Sequence, residues 1–562
     1  MTRVHFARLM VSLLLTVPGQ MKVAGAVVKA KTASFADVNS AISSSHDGDT
    51  VLVPAGTASW TSTVTITKGI TLEGVGKGET IILDDIPRNK NFGRPAERGQ
   101  INGSRQLDLS RPGRASRFAS VGFLGVRGSP RGPSSGAILR IELTPRQSFR
   151  LSGFTFRRGQ AVTTTANNGS VVIKGKATSP SVRVDHCHFD QLYAGTCILI
   201  DGCLYGVVDH CTFDIGTNAG PSLRVYYTNW GNQPSGWGSW ADPPYFGSEK
   251  FVFFEDNVVN NHTRAPERGD IDSQHGGRWV ARHNVFNNCN LFYHGTDNGS
   301  AAPQYNLGTR AVEIYNNAFV SSGQRVSAGQ DRGGPLVWHD NTYTGDYGGG
   351  MGLAIYRQTD YYAKGLLGAD GTSPWDLNAT EPDGTHVDGH PSYTYAKGTH
   401  IGPNDSIIIT VSGTPWRPNQ WVGYSVTNTN SASPYFHGFS WIASNTNNTI
   451  TIGAVSKNTV QAKFNTGDTF AIHKVLAAIG QPGRGKGDLI VGYPPTHPPI
   501  PAWPHQAIEP CYSWNNTLNG QNLNFSYNAA NKLLTENIDF YNNTPMPDYK
   551  PFTYPHPLTK ER

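Results

Sequence analysis

Two segments of this chain carry an aspartate beside a histidine in the same setting, Val184-Asp-His-Cys187 and Val208-Asp-His-Cys211. Two later segments, Val252-Phe-Phe-Glu-Asp-Asn257 and Trp279-Val-Ala-Arg-His-Asn284, put Glu255 and then Arg282 at the equivalent point. Neighbouring strands lie about 4.8 Å apart. If these segments are neighbours, Asp185, Asp209 and Glu255 form a row followed by a guanidinium. Like charges at that spacing raise one another's pKa unless a cation or an arginine compensates. Such a row can bind a hard cation such as Ca²⁺ through loosely arranged oxygens. It can also keep one acid protonated as a general acid. The plainer alternative is a solvated polar stripe, since the row is expected to face outward.

A second cluster is Glu267-Arg-Gly-Asp-Ile-Asp-Ser-Gln-His-Gly-Gly-Arg278, which leads into the strand carrying Arg282 and His283. His294 and Arg310 follow. Removing a proton beside a carboxylate needs a cation to neutralise the acid, a base for the proton and a donor for the leaving oxygen. Arg282, His283, His294, Asp272 and Arg310 supply those groups. Asp270 and Asp272 also read as turn caps, and the arginines as groups stacked between neighbouring strands. A third feature is the aromatic series Tyr226, Tyr227, Trp230, Trp237, Trp240, Tyr245 and Phe246. Gly and Pro around it leave little local core, so Tyr226, Trp230, Trp237 and Trp240 are candidates to stack on sugar rings. The alternative is that the loop packs them on the fold. No phosphate loop, dinucleotide fingerprint, zinc helix or serine elbow occurs.

Seven octapeptides align without gaps and supply the elements that position these groups. They begin at Phe149, Val182, Gly206, Val252, Trp279, Val312 and Leu336. Side chains alternate across a strand, and the first and third columns are almost wholly apolar, so both point inward. The last column, Phe156, Phe189, Phe213, Val259, Phe286, Phe319 and Tyr343, predicts an inward stack past a turn. Asn257, Asn284, Asn317 and Asn341 share the sixth column, where stacked amides bond one another. The steps of 24 residues, Phe189 to Phe213 and Phe319 to Tyr343, match one coil of a solenoid. The longer step from Phe213 to Val259 is a loop or hides an extra coil. The expected fold is all-β: a right-handed single-stranded parallel β-helix with an N-terminal helical cap at Phe35–Ile42 and a small inserted antiparallel β-module. The coils span 27–365, an insertion spans 366–484 with its module at about 400–474, and residues 485–562 give the last coils and an extended tail. Residues 86–135 read as a surface excursion, and Pro494–Pro504 and Pro545–Pro557 as segments laid on the surface.

Residues 1–26 read as a signal peptide, with Arg3 and Arg8, an apolar stretch from Leu9 to Val17, and Ala24-Gly-Ala26 before cleavage. A stretch of nine residues is too short to span a bilayer, which needs about 20. The expected mature chain is secreted, without a membrane span. A net charge of +6 over 562 residues gives no basis for nucleic acid as partner. Only 16% of residues are charged, whereas Gly and Pro number 63 and 36, which disfavours a helical bundle and suits a turn-rich β protein. The six cysteines do not make a disulfide scaffold. Cys187–Cys211 and Cys197–Cys203 bridges, or buried thiols, are equally open.

The coil pattern, the cap followed by Gly48-Asp-Thr-Val-Leu-Val-Pro54, and the repeated Val-Asp-His-Cys resemble the pectate-lyase-like right-handed β-helix superfamily. The resemblance covers about residues 34–345 and 485–545 as architecture. It implies a secreted protein whose partner is a polysaccharide, with lyases, hydrolases and non-catalytic adhesins all represented. The preferred expectation is β-elimination on an acidic, pectin-like polysaccharide. The alternatives are hydrolysis on the same fold and a glycan-binding or surface structural protein. The catalytic-arginine segment of pectate lyases has no clear match here, nor do its calcium aspartates beyond Asp185 and Asp209.

Overall fold

A computed structural model describes residues 25–560 except 89–135, 161–168, 193–194, 217–219, 233–235, 263–269, 296–307, 326, 355–393, 422–424, 437, 453–462, 474–481, 484, 486–507 and 528–533. The signal segment up to residue 24, most of the 86–135 stretch, residues 267–269 and the Pro494–Pro504 run lie outside the described residues.

The seven octapeptides lie over one another in unbroken parallel register. Phe149 pairs with Val182, Val182 with Gly206, and the column continues through Val252, Trp279, Val312 and Leu336. This strip begins at Val27–Lys29 and ends at Cys511–Trp514 and Phe540–Tyr541. A second parallel strip runs from Gly56–Trp60 through Thr342–Tyr347 to Thr517–Leu518. A third contains Val64–Ile66, Leu139–Leu143, the first halves of Val171–Asp185 and Ile198–Asp209, Leu223–Tyr226 and Ile271–Gln274. The architecture is the expected all-β parallel helix. The strand Gly206–Asp209 pairs directly with Val252–Glu255, so the long step between Phe213 and Val259 hides no extra coil; it holds the third-strip strand Leu223–Tyr226 and a loop.

The long strands turn a corner from one strip to another. Pro180, which has no N–H to donate, sits at a register shift in Val171–Asp185. Gly206 takes φ 155° at the same corner in the next coil, where a Cβ would lie 1.9 Å from the Val182 carbonyl oxygen. Between the first and second strips all seven octapeptides have a left-handed residue at the fifth column: Gly153, then His186, His210, Asp256, His283, Asn316 and Asp340, with Asn515 following. His, Asp and Asn tolerate that conformation best among non-glycine residues.

The inner columns form one continuous apolar core. Phe189 and Phe213 stack at 4.9 Å, Phe286 and Phe319 at 4.7 Å, and Phe319 and Tyr343 at 4.3 Å. The asparagine ladder forms as the sixth column requires. The amide of Asn284 donates to Asn317 Oδ1 at 2.9 Å, that of Asn317 to Asn341 at 2.9 Å, and that of Asn341 to Asn516 at 2.8 Å. All six cysteines are buried thiols, so neither bridge forms. The helix Phe35–Ser44 caps the first coils. Ser34 accepts from the Asp37 N–H, and Val38, Ala41 and Ile42 are buried. The six strands between Thr394 and His473 form a separate antiparallel sheet around Ile409, Val426, Ile442, Ile450, Phe464, Phe470 and Ile472.

Candidate active site

The row of acids forms, but it is closed. Register places Asp185, Asp209, Glu255 and Arg282 on neighbouring strands. All four are fully buried, which corrects the expectation of an exposed row. Arginines from neighbouring coils neutralise each acid in turn. Arg150 Nε donates to Asp185 at 2.7 Å, Arg183 grips both oxygens of Asp209 at 3.0 and 2.9 Å, and Arg282 Nε donates to Glu255 at 2.6 Å. The C-terminal segment lies across the top. The carbonyls of Phe552 and Thr553 accept from Arg282, that of Leu558 accepts from Arg183, and the His556 N–H donates to Glu255 Oε1. The oxygens that were candidates for Ca²⁺ are thus held by guanidinium groups, so this row is a structural ion-pair ladder. His283 sits at its turn beneath Tyr554, with ring centroids 3.7 Å apart. Arg310 is buried against Glu509, the Asp242 carbonyl and Trp240. Arg282 and Arg310 are therefore closed off from an open site, whereas His283 stays partly exposed beside Tyr554.

The aromatic loop is likewise packed. Tyr226, Tyr227, Trp230 and Trp240 are buried, which corrects their assignment as exposed sugar platforms. The side chain of Trp237 lies outside the described residues. Arg278 holds the loop down. Its guanidinium lies 4.3 Å from the Trp230 ring centroid and donates to the carbonyls of Pro243 and Pro244.

Two of the expected catalytic residues do meet, beside the last strand of the third strip. Asp272 lies in the strand Ile271–Gln274, and His294 follows the strand Leu291–Phe292. His294 Nδ1 lies 2.6 Å from Asp272 Oδ1. Arg224, at the paired position one coil earlier, donates to Asp272 Oδ2 from Nε at 3.1 Å and from Nη2 at 2.9 Å. Burial raises the Asp272 carboxyl, but the His294 and Arg224 charges outweigh it and hold it down at about 2. It is therefore a carboxylate that fixes the imidazole. The backbone of His294 is pinned too. Its N–H donates to Ser273 O, and the Thr309 N–H and hydroxyl donate to its carbonyl. The imidazole is partly exposed, and among the described residues its Nε2 makes no hydrogen bond.

The surrounding face is charged. One row reads Arg140, Val172, Leu199, Arg224, Asp272 and the next Glu142, Lys174, Asp201, Tyr226, Gln274. Lys174 lies 3.2 Å from Asp201, and Arg140 2.5 Å from Glu142. Arg224 was not singled out because Leu223-Arg-Val-Tyr lies outside the octapeptides. Its alternation matches that of Ile271-Asp-Ser-Gln, and that match is the signal that pairs them. Neither a family model nor a curated protein matches this chain. Among the described residues no helix is long and apolar enough to cross a membrane.

Proposed function

We propose that the chain is a secreted, polysaccharide-cleaving protein of the pectate-lyase-like β-helix type, acting on an acidic polysaccharide by β-elimination. The observation that carries this reading is the Asp272–His294 pair with Arg224 beside it. Asp272 holds the imidazole by Nδ1, which directs Nε2 outward as a base. Arg224 spends two donors on Asp272 and another on the Tyr226 side chain, and its partly exposed guanidinium has further N–H groups for a uronate carboxylate. Neutralising that carboxylate makes the C5 proton removable. His294 takes the proton, the C5 electron pair forms the C4–C5 double bond, and the C4–O bond breaks. The imidazolium can then return its proton to the departing oxygen. Lys174 and Arg140 lie along the same face, each paired with an acid, Asp201 and Glu142.

The test is the mature protein on a panel of acidic polysaccharides, read by ultraviolet absorbance of unsaturated uronate and by reducing ends. Cleavage with unsaturated product, lost at least about 100-fold in His294→Ala and Asp272→Asn while thermal unfolding is kept, supports the reading. Reducing ends without unsaturation indicate hydrolysis. Binding with neither signal indicates a glycan-binding protein. Activity retained in His294→Ala removes this site.

A further inference from the structure

The outer face of the second strip carries a cluster with no part in the site above. The strands His188–Asp190, Thr212–Ile215 and Val258–Asn261 are neighbours, with Asp190 paired to Asp214 and Asp214 to Asn260. His188 and Asp190 point the same way because they are two apart on one strand. His262 lies two residues beyond Asn260. The two imidazoles converge on one carboxylate: His188 Nε2 lies 2.6 Å from Asp214 Oδ2, and His262 Nε2 lies 3.0 Å from Asp214 Oδ1. The donor atoms of His188, Asp190 and Asp214 all lie within 4.8 Å of one another. Asn260 donates to Asp214 Oδ1 and is itself held by Asn287 at 2.8 Å. Arg157 donates to Asp190 Oδ2 at 2.5 Å, leaving Oδ1 as the other ligand atom.

We propose that His188, Asp190 and Asp214, with His262 as a further ligand, form a binding site for a divalent transition-metal ion of the zinc type. Imidazole nitrogens select such ions over calcium or magnesium, which prefer all-oxygen sites. Zinc bonds of about 2.0–2.2 Å place tetrahedral donors about 3.4 Å apart. On binding, the Nε2 proton of each neutral imidazole shifts to Nδ1 so that Nε2 faces the ion, and the His188–Asp214 and His262–Asp214 pairs need to open by less than about 1 Å to reach that spacing. Two aspartates and one arginine leave the cluster one negative charge in excess when both histidines are neutral, which suits a cation. The rigid strands fix three of the ligands, and Asn260 orients the shared carboxylate as an outer partner commonly does.

The experiment is calorimetric titration of the full mature chain, metal-free and without a histidine tag, with Zn²⁺, alongside thermal unfolding with Zn²⁺ and Ca²⁺. One saturable zinc site and a raised unfolding temperature are expected, with no effect of calcium at the same concentration. Asp214→Asn should abolish binding, and His188→Gln should weaken it at least tenfold. Arg157→Gln should strengthen it, because the competing cation is gone while all ligands remain. Cobalt-loaded protein should show visible absorption that Asp190→Asn alters. Absence of saturable zinc binding overturns the proposal, as does unchanged binding in folded Asp214→Asn or His188→Gln. These readouts do not involve His294, so they stand or fall apart from the cleavage reading.

Discussion

Buried acids in this protein follow two opposite courses, and the partner decides which. Asp272 is buried yet strongly acidic, because His294 and Arg224 both stabilise its charge. Glu313 is equally buried but meets only neutral donors, the Gly247 N–H at 2.8 Å and the Tyr549 hydroxyl at 2.5 Å. Burial therefore dominates and lifts Glu313 from 4.5 to about 7. The folded state thus holds a proton that the unfolded state releases. The stability from this group is full below about pH 4.5 and is lost as pH rises through about 7. Asp331, lifted by burial to about 8, acts in the same direction. Glu313→Gln should flatten the decline in unfolding temperature between these pH values; an unchanged slope would refute the assignment. His556 runs the other way. Burial first, then the Arg282 and Arg183 charges, hold it neutral down to about 3, so its contribution is lost as pH falls below its ordinary 6.5. The direction of these shifts is not legible from residue type, since Asp272 reads as a catalytic acid or a turn cap and Glu313 carries no signal until the partners of each are placed.

At the scale of elements, the acid row shows how a correct register can still mislead. The fourth octapeptide column was readable, and Asp185, Asp209 and Glu255 do stack. What the fourth column alone does not reveal is that the second column shares its face. Arg150 and Arg183 stand there, each one coil before the acid it neutralises. The covering element was also written in the chain, as the Pro545–Pro557 stretch, but nothing in its composition says which face it lies on. Its carbonyls answer arginines hundreds of positions away. The arrangement makes Arg282 a structural residue. Arg282→Met would leave Glu255 fully buried without its counter-ion, a loss of about 3–5 kcal/mol. Urea unfolding should show that loss, with any His294-dependent cleavage kept under folding conditions. A stable but inactive Arg282→Met protein would return Arg282 to the catalytic list. The asparagine ladder was more legible than the ion pairs because identical side chains satisfy one another. Its partner is named by the repeat itself, and Asn516 extends it beyond a long insertion.

On the whole-molecule scale, the chain joins two kinds of β structure with different contact logic. Each solenoid coil leans on its neighbours, so the apolar core is shared from the helix Phe35–Ser44 to Phe540. The antiparallel sheet between Thr394 and His473 has a core of its own, and among the described residues no strand of it pairs with a solenoid strand. Hairpin-like alternation in Ser406–Val411 and Thr449–Ile452 made that change of architecture visible, because antiparallel strands exposed on one face must alternate. Parallel solenoid strands are marked instead by likeness between distant segments. Separate cores predict separate cooperative units. Calorimetry of the full chain should resolve two transitions. Ile450→Asp, which places a charge in the fully buried centre of the smaller core, should remove or sharply lower one of them. Val312→Asp, in the solenoid core, should act on the other alone. If either substitution displaced both transitions together, or if wild type melted in one step, the module would have to be coupled to the coils through contacts beyond strand pairing.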